Sequence, residues 1–132
     1  MPLPRPTAAA VAVAAGGVVG ASVRWALATT LPHPGGWPWP TLAANVVGCL
    51  VLGVIAARLP FLSPRATVVV RDGLAVGFCG GLTTFSTFSV ELATFLRDGR
   101  PGVAAAYLVL SLVTGFAAYD LGRRALGRRV VP

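Results

Sequence analysis

Four long apolar runs constrain this chain more than any other feature of its sequence. Residues 7–23, 40–57, 73–90 and 101–119 contain no charged side chain. Each run is close to the ~20 residues that an α-helix needs to cross a hydrocarbon core of ~30 Å. Only 11% of the 132 residues are charged and 55% are hydrophobic, which is too few charges for the surface of a water-soluble domain. The sequence therefore predicts an all-α membrane protein, a single integral-membrane domain over residues 1–132, with four transmembrane helices at about 7–31, 40–57, 66–96 and 101–121 and an arginine-rich tail at 122–132.

The positive charges lie at the ends of these runs. The net charge is +7 and every cation is an arginine. Because the arginines flank apolar segments instead of forming one basic face, they indicate anchors at the membrane edge and not a nucleic-acid-binding surface. With four spans, the side that holds both termini carries eight arginines against Arg97 and Arg100 on the other, and the eight are Arg5, Arg58, Arg65, Arg71, Arg123, Arg124, Arg128 and Arg129. This bias predicts a cell-membrane protein with both termini in the cytoplasm.

Few residues suit catalysis or a metal cluster. Cys49 and Cys79 lie in different apolar runs without a CxxC or Cys/His grouping, so the pattern favours buried thiols. No Ser/His/Asp or paired-carboxylate arrangement is visible, and the chain is not expected to be an enzyme. The first run continues past Arg24 to residue 31, which favours a first span over a cleaved signal peptide.

The segment GFCGGLTTFSTFSVE, residues 77–91, interrupts the third run with glycines and hydroxyl side chains. Each glycine weakens a helix by about 1 kcal/mol relative to alanine, and neighbouring threonines and serines can bond to freed backbone groups. These properties predict a helix break at residues 80–84, where freed carbonyls could bind a hard cation. On spacing alone the glycines favour a close helix contact and no ion, and the small residues Gly16, Gly17, Gly20 and Ala21 likewise indicate close helix approach on the first run.

Uncharged hydrogen-bond donors accompany the predicted break. Phe85 and Phe88 are three residues apart, and aromatic ring edges carry a partial positive charge that can face an anion. Further donors are Asn45 on the second run, Ser86 and Thr87 on the third, and Tyr107 and Ser111 on the fourth. Arg24 is the one charge inside the first run, and it is expected to snorkel, to pair with Glu91 or Asp72, or to line an aqueous vestibule. Trp37 and Trp39, in a loop rich in proline and glycine, suit the headgroup layer.

Together these residues resemble the CrcB/Fluc family of fluoride channels. The matching segments are GGVVGASVRW at 16–25, PTLAANVVGCLVLG at 40–53 and GFCGGLTTFSTFSVE at 77–91, followed by Tyr107 and Ser111. The resemblance covers nearly the whole chain, and the third segment is highly specific to the family.

The resemblance implies a dimer of oppositely oriented subunits that forms two narrow pores for the passive export of cytoplasmic fluoride. The broken third helices would cross at its centre, where the main-chain carbonyls of Gly80 and Thr83 would hold a structural Na⁺ that is not transported. In the pores, Phe85 and Phe88 would present ring edges to fluoride, and Asn45 would donate a hydrogen bond. Tyr107 and Ser111 would lie along a polar track.

Two other functions remain open on the sequence alone. A small four-span proton-coupled multidrug exporter would need a carboxylate at mid-membrane, and a non-transporting scaffold would use the polar stripes as helix contacts. The excess of arginines on one side also departs from a subunit that inserts both ways, so the partner is either a second copy or a related, oppositely oriented subunit.

Overall fold

Four helical spans, each long enough to cross a bilayer, form the protein. The structure is a computed structural model that describes residues 6–127, with side chains described for residues 8–125. The apolar spans of the described chain are Ala8–Thr30, Trp39–Phe61, Pro64–Arg97 and Pro101–Ala125. The predicted all-α architecture with four membrane-spanning elements is confirmed.

Three of the spans are each built on one continuous helix. These are α1 (Pro6–Thr30), α2 (Trp39–Arg58) and the last helix, α6 (Pro101–Gly127). Proline occupies the first turn of α2, where its missing N–H costs no helical hydrogen bond. In the loop before α2, a short 3₁₀ turn at Pro34–Gly36 has glycines at φ 65° and 73°, a backbone region that other residues rarely adopt.

The third span is built from several segments. A short helix α3 leads into a π-helical segment, then a single turn α4, a break at residues 83–84, and a second long helix α5. Their bounds are Pro64–Thr67 for α3, Val68–Cys79 for the π-helical segment, Gly80–Leu82 for α4 and Phe85–Arg97 for α5. The break lies within the predicted 80–84 interval, whereas nothing in the sequence predicted the π-helix.

Glycines bring α1 and the π-helical segment into direct backbone contact. A methyl group on Gly16 would collide with the Gly73 carbonyl, and one on Gly20 would collide with the Phe78 carbonyl. Gly17 has more room, since its nearest neighbour would be the Gly77 carbonyl oxygen at 3.9 Å. The prediction that small residues on the first span allow close helix approach is therefore confirmed for Gly16 and Gly20.

A buried cluster that includes Tyr107 joins α2, α5 and α6. Leu42 of α2, Phe88 and Phe95 of α5, and Ala104 and Tyr107 of α6 form one buried cluster. Most other large apolar side chains, among them Val18 and Phe116, are exposed, as suits helices whose solvent is hydrocarbon.

The last helix continues beyond the predicted end of the fourth span at residue 121. It extends to Gly127, and Asp120 pairs with Arg123 at 3.0 Å and with Arg124 at 2.6 Å. Such i, i+3 and i, i+4 pairs stabilise a helix, so the first part of the predicted tail at 122–132 is helical. The rest of that tail, including Arg128 and Arg129, and Arg5 near the other terminus, lie outside the described residues.

Candidate functional site

The break in the third span is a sharp local change of backbone conformation. Thr83 has ψ 155° and Thr84 has φ −148° and ψ 119°, both extended. The Thr84 hydroxyl oxygen accepts a hydrogen bond from the Thr87 amide at 3.1 Å and so caps α5. A threonine in this position satisfies one of the amides that every helix start leaves free.

Asn45 on α2 bonds to both main-chain polar groups of Thr84 and so stabilises the extended backbone of the break. Its Oδ1 accepts from the Thr84 amide at 2.8 Å, and its Nδ2 donates to the Thr84 carbonyl at 3.3 Å. An asparagine amide carries two N–H groups, so one donor remains beyond this pair of contacts. Asn45 therefore fixes the break and still has an N–H to offer.

These side-chain contacts leave two main-chain carbonyls without their helical donors. In a continuous helix the Thr84 amide would donate to the Gly80 carbonyl and the Thr87 amide to the Thr83 carbonyl. Here the Thr84 amide donates to Asn45 and the Thr87 amide to the Thr84 hydroxyl. Gly80 is exposed, and among the described residues no atom lies within 4 Å of the place its Cβ would take. The carbonyls of Gly80 and Thr83 have the chemistry of ligands for a hard cation.

Two phenylalanines follow the break and line an open groove. Their ring centroids are 6.2 Å apart; Phe85 is 81% exposed, whereas Phe88 is 8% exposed. The groove has a volume of about 340 Å³ and runs along the surface between α2, the break, α5 and α6. Its wall is made by Asn45, Cys49, Leu52, Thr83, Thr84, Phe85, Phe88, Ser111 and Leu112. The groove thus brings together four residues that the sequence singled out on three different spans, namely Asn45, Phe85, Phe88 and Ser111.

The hydroxyls near the groove differ in what they bond to. The Thr84 hydroxyl lies 3.0 Å from that of Thr87 and 3.2 Å from that of Ser86, so the two predicted donors Ser86 and Thr87 gather at the break. The Ser111 hydroxyl is buried and has no partner among the described residues. A buried hydroxyl without a partner is costly, and Ser111 belongs to the wall of the groove.

Tyr107 belongs to a second polar arrangement, centred on Glu91. The Tyr107 hydroxyl donates to Glu91 Oε2 at 2.7 Å, and the Thr41 hydroxyl donates to Oε1 at 2.6 Å. One carboxylate therefore connects α2, α5 and α6. Tyr107 is fully buried, and its ring lies 5.0 Å from that of Phe88, so the predicted pore residue Tyr107 adjoins the groove.

Arg24 has a partner that the sequence did not suggest. Its Nε donates to the Gly81 carbonyl at 3.0 Å, while Asp72 pairs with Arg71 and Glu91 with the two hydroxyls. A small cavity of about 90 Å³ lies beside Arg24, lined by Arg24, Ala28, Pro40, Thr41, Thr84 and Thr87. Arg24 thus contacts the broken segment and faces hydroxyls, as a vestibular or structural residue would.

Sequence reasoning did not predict the contact between Thr41 and Glu91, because it named Glu91 only as one alternative partner of Arg24. It named the threonines at the break only as groups that bond to freed backbone. A signal for Glu91 was present, because Phe88, Glu91 and Phe95 follow one another at three- and four-residue spacing and share a face of α5. The contact between Thr41 and Glu91 joins residues fifty positions apart, and no local pattern could indicate it.

Comparison with known proteins decides the family. The family model described as CrcB-like protein, Camphor Resistance (CrcB), matches residues 11–123. The chain belongs to the CrcB family. Among similar CrcB proteins, "Fluoride-specific ion channel FluC 1" of Mycobacterium tuberculosis (strain CDC 1551 / Oshkosh) is 46% identical over 90% of this chain and 89% of its own length.

Further relatives carry the same description. "Fluoride-specific ion channel FluC" of Chlorobium phaeobacteroides (strain BS1) is 41% identical over 91% of this chain and 94% of its own length. That of Bordetella avium (strain 197N) is 44% identical over 84% of this chain and 86% of its own length. The predicted resemblance to the CrcB/Fluc family is confirmed. Relatives named as ion channels agree with a multi-pass membrane protein that is not an enzyme.

Proposed function

We propose that this CrcB protein is a subunit of a fluoride-selective channel that lowers cytoplasmic fluoride by passive export. The observation that carries the proposal is the groove itself, whose wall contains two phenylalanines, an amide and a serine with an unpartnered hydroxyl but no charged side chain. Relatives named fluoride-specific ion channels support it. Fluoride is small and strongly hydrated, so only closely placed donors can replace its water. Uncharged donors do so without holding the ion as tightly as a lysine or arginine would.

The proposed path follows the groove past the break. Phe85 and Phe88 present ring edges to the ion, and the free N–H of Asn45 and the unpartnered hydroxyl of Ser111 donate to it. Ser86 and Thr87 add hydroxyls at the break, and Tyr107 adjoins its aromatic side. Arg24 lies beside the small cavity that Thr41, Thr84 and Thr87 also line, and its charge raises the local concentration of anions there.

We infer a structural sodium ion at the same break. The main-chain carbonyls of Gly80 and Thr83 fit it, because their helical donors are bonded to side chains instead. A sodium ion bound there would satisfy oxygens that lipid cannot, and two chains would have to contribute to complete its coordination. In this proposal the ion is a fixed part of the channel and is not transported.

The groove is open on the surface of one chain, and a second chain is needed to close it. An 81% exposed Phe85 beside polar groups fits a protein interface better than a lipid-facing surface. We propose a dimer of oppositely oriented subunits, whose partner is a second copy or a related subunit. The arginine bias favours a related subunit as the partner. Robust fluoride efflux from liposomes that hold this chain alone would show that a related subunit is not obligatory.

Export needs no energy source other than the membrane potential. Hydrofluoric acid crosses lipid uncharged and dissociates in a more alkaline cytoplasm. A potential that is negative inside then drives the anion outward at about 2.3 kcal/mol per 100 mV. A channel therefore suffices, and no coupled proton is required.

Fluoride efflux from liposomes, followed with a fluoride electrode after valinomycin sets the potential, tests the proposal. We expect the wild-type protein to release fluoride and not chloride. Phe85→Ile removes a ring edge, and Asn45→Asp removes the donor and adds a negative charge, so each should lower the flux at least about tenfold. Phe61→Ile, at an exposed phenylalanine outside the groove, is the matched control.

The alternatives give different results in the same assay. A proton-coupled exporter would require a pH gradient, and a scaffold would release nothing. Wild-type flux in both Phe85→Ile and Asn45→Asp would reject the groove as the pathway.

A further inference from the structure

Two buried polar atoms have no hydrogen-bond partner within the described part of the chain. They are the Ser111 hydroxyl and the indole Nε1 of Trp37. An unsatisfied buried donor costs about 1–3 kcal/mol, so such a group in a native protein calls for an explanation, of which an acceptor supplied by a ligand or water is one. Ser111 already belongs to the proposed path. Trp37 does not belong to that path, although its ring packs against Tyr107, which adjoins the groove.

Trp37 is the last member of a row of aromatic rings that starts in the groove. The centroid separations are 6.2 Å from Phe85 to Phe88, 5.0 Å from Phe88 to Tyr107 and 5.7 Å from Tyr107 to Trp37. The last contact is nearly edge-on, with an interplanar angle of 76°. The row therefore leads without a gap from the helix break to the loop between α1 and α2.

A cation lies at the end of this row. Arg100, in the loop before α6, has its Cζ 5.2 Å from the centre of the Phe95 ring. Its Nη1 comes within 4.0 Å of the position that a Cβ on Gly36 would take, so the guanidinium lies beside the turn that precedes Trp37. Phe95 in turn lies 6.4 Å from Trp37. Arg100 is exposed, so it can attract an anion from water, whereas Trp37 offers a neutral donor further inside.

We propose that the Trp37 N–H is a further fluoride donor, at the point where the path passes from the aromatic row to Arg100 and water. The ion loses its hydration shell between Arg100 and Tyr107, and a neutral N–H there replaces part of that shell without trapping the ion. This assignment also accounts for the missing acceptor of Nε1. It rests on the proposed fluoride channel and adds a residue on the side opposite the arginine-rich ends.

The test compares Trp37→Phe with Trp39→Phe in the liposome assay. Phenylalanine keeps an aromatic ring against Tyr107 and removes only the N–H and part of the ring system. Trp39 lies in the same loop, 6.0 Å from Trp37, but is 45% exposed and serves as the matched control. We expect fluoride efflux to fall roughly tenfold in Trp37→Phe, the size expected when an ion loses one hydrogen bond, and to stay at the wild-type rate in Trp39→Phe.

Equal flux in the two variants would overturn the assignment and leave the channel itself intact. A wild-type protein that releases no fluoride would instead overturn the proposed function. The two failures are therefore distinguishable.

A second measurement applies if Trp37→Phe does not fold. The variant Trp25→Phe/Trp39→Phe retains Trp37 as its only tryptophan, because the chain has three. We expect sodium fluoride, but not sodium chloride at the same concentration, to change its fluorescence emission. Identical emission spectra in the two salts would overturn the assignment.

Discussion

At the scale of single residues, Glu91 is the point where three helices are joined. Thr41 of α2 and Tyr107 of α6 each donate to a different oxygen of this α5 carboxylate. Removing either donor leaves an oxygen of a partly buried acid without its partner, which typically costs about 1–3 kcal/mol. We expect Thr41→Val and Tyr107→Phe each to lower the free energy of unfolding by that amount, measured by denaturant titration in mixed micelles. Tyr119→Phe, at an exposed tyrosine of α6, is the control; variants as stable as this control would show that the contacts do not hold the helices together.

The same residues show what a sequence can and cannot predict at this scale. Asn45 and Ser111 stood out as polar side chains in apolar runs, whereas Phe85 and Phe88 were assigned to a pore through the resemblance to the CrcB/Fluc family, because spacing alone does not distinguish a pore ring from a packing ring. The clamp between Asn45 and Thr84 was not predicted, because it depends on how α2 is placed against the break. Trp37 stays a predicted headgroup-layer residue; its packing against Tyr107 and its buried, unpartnered indole nitrogen were not predicted, because they depend on how the loop folds against α6. Residue type predicted the chemistry, and tertiary packing decided the partners.

At the scale of elements, the contact between α1 and the π-helical segment depends on glycines, which have no side chain to hold the two backbones apart. A methyl group at Gly20 would meet the Phe78 carbonyl, and backbone oxygen cannot move aside without separating the two segments. We expect Gly20→Ala to lower the free energy of unfolding by about 1–3 kcal/mol although alanine favours helix. Gly17→Ala is the matched control, since its methyl group would lie 3.9 Å from the Gly77 oxygen, and it should be neutral or stabilising by up to about 1 kcal/mol. Equal stability of the two variants would contradict the packing described above.

The start of α5 depends on the side chain of Thr84, which caps the helix. Thr84→Val keeps the shape of the side chain and removes the oxygen that accepts from the Thr87 amide. We expect a loss of about 0.5–2 kcal/mol in the free energy of unfolding. Thr94→Val removes a hydroxyl that only bonds back to the Val90 carbonyl on an exposed turn, so its effect should stay within about 0.5 kcal/mol. A Thr84→Val protein as stable as Thr94→Val would mean that the break does not need its cap.

The break could be predicted from the sequence to within a few residues, and the π-helix could not. Glycine followed by threonine signals lost helix propensity and available local acceptors, whatever the surroundings. A π-helix keeps the same residues helical but shifts the hydrogen-bond register, and apolar periodicity over twelve residues does not report that shift.

At the scale of the whole molecule, the face around Gly80 is open in the single chain. A side chain on Gly80 would meet no atom within 4 Å among the described residues, and the same is true of Gly102 at the start of α6. The two glycines differ in place, because Gly80 lies three residues before the break, whereas Gly102 lies at the start of the fourth span. A leucine at either position therefore fits the single chain, but only the leucine at 80 would obstruct a partner crossing at the break.

We expect Gly80→Leu to weaken dimerisation at least tenfold and to abolish fluoride efflux, while Gly102→Leu leaves both unchanged. Dimerisation would be measured by single-molecule photobleaching in lipid. The sample would be the preparation that conducts fluoride, which is either this chain alone or this chain together with a related subunit. Both substitutions add the same side chain to an exposed helical glycine, so a general effect of leucine on insertion or folding would appear equally in both variants. A dimeric, conducting Gly80→Leu protein would show that the broken helices do not meet there, and with that the proposed central sodium ion would lose its second set of carbonyls.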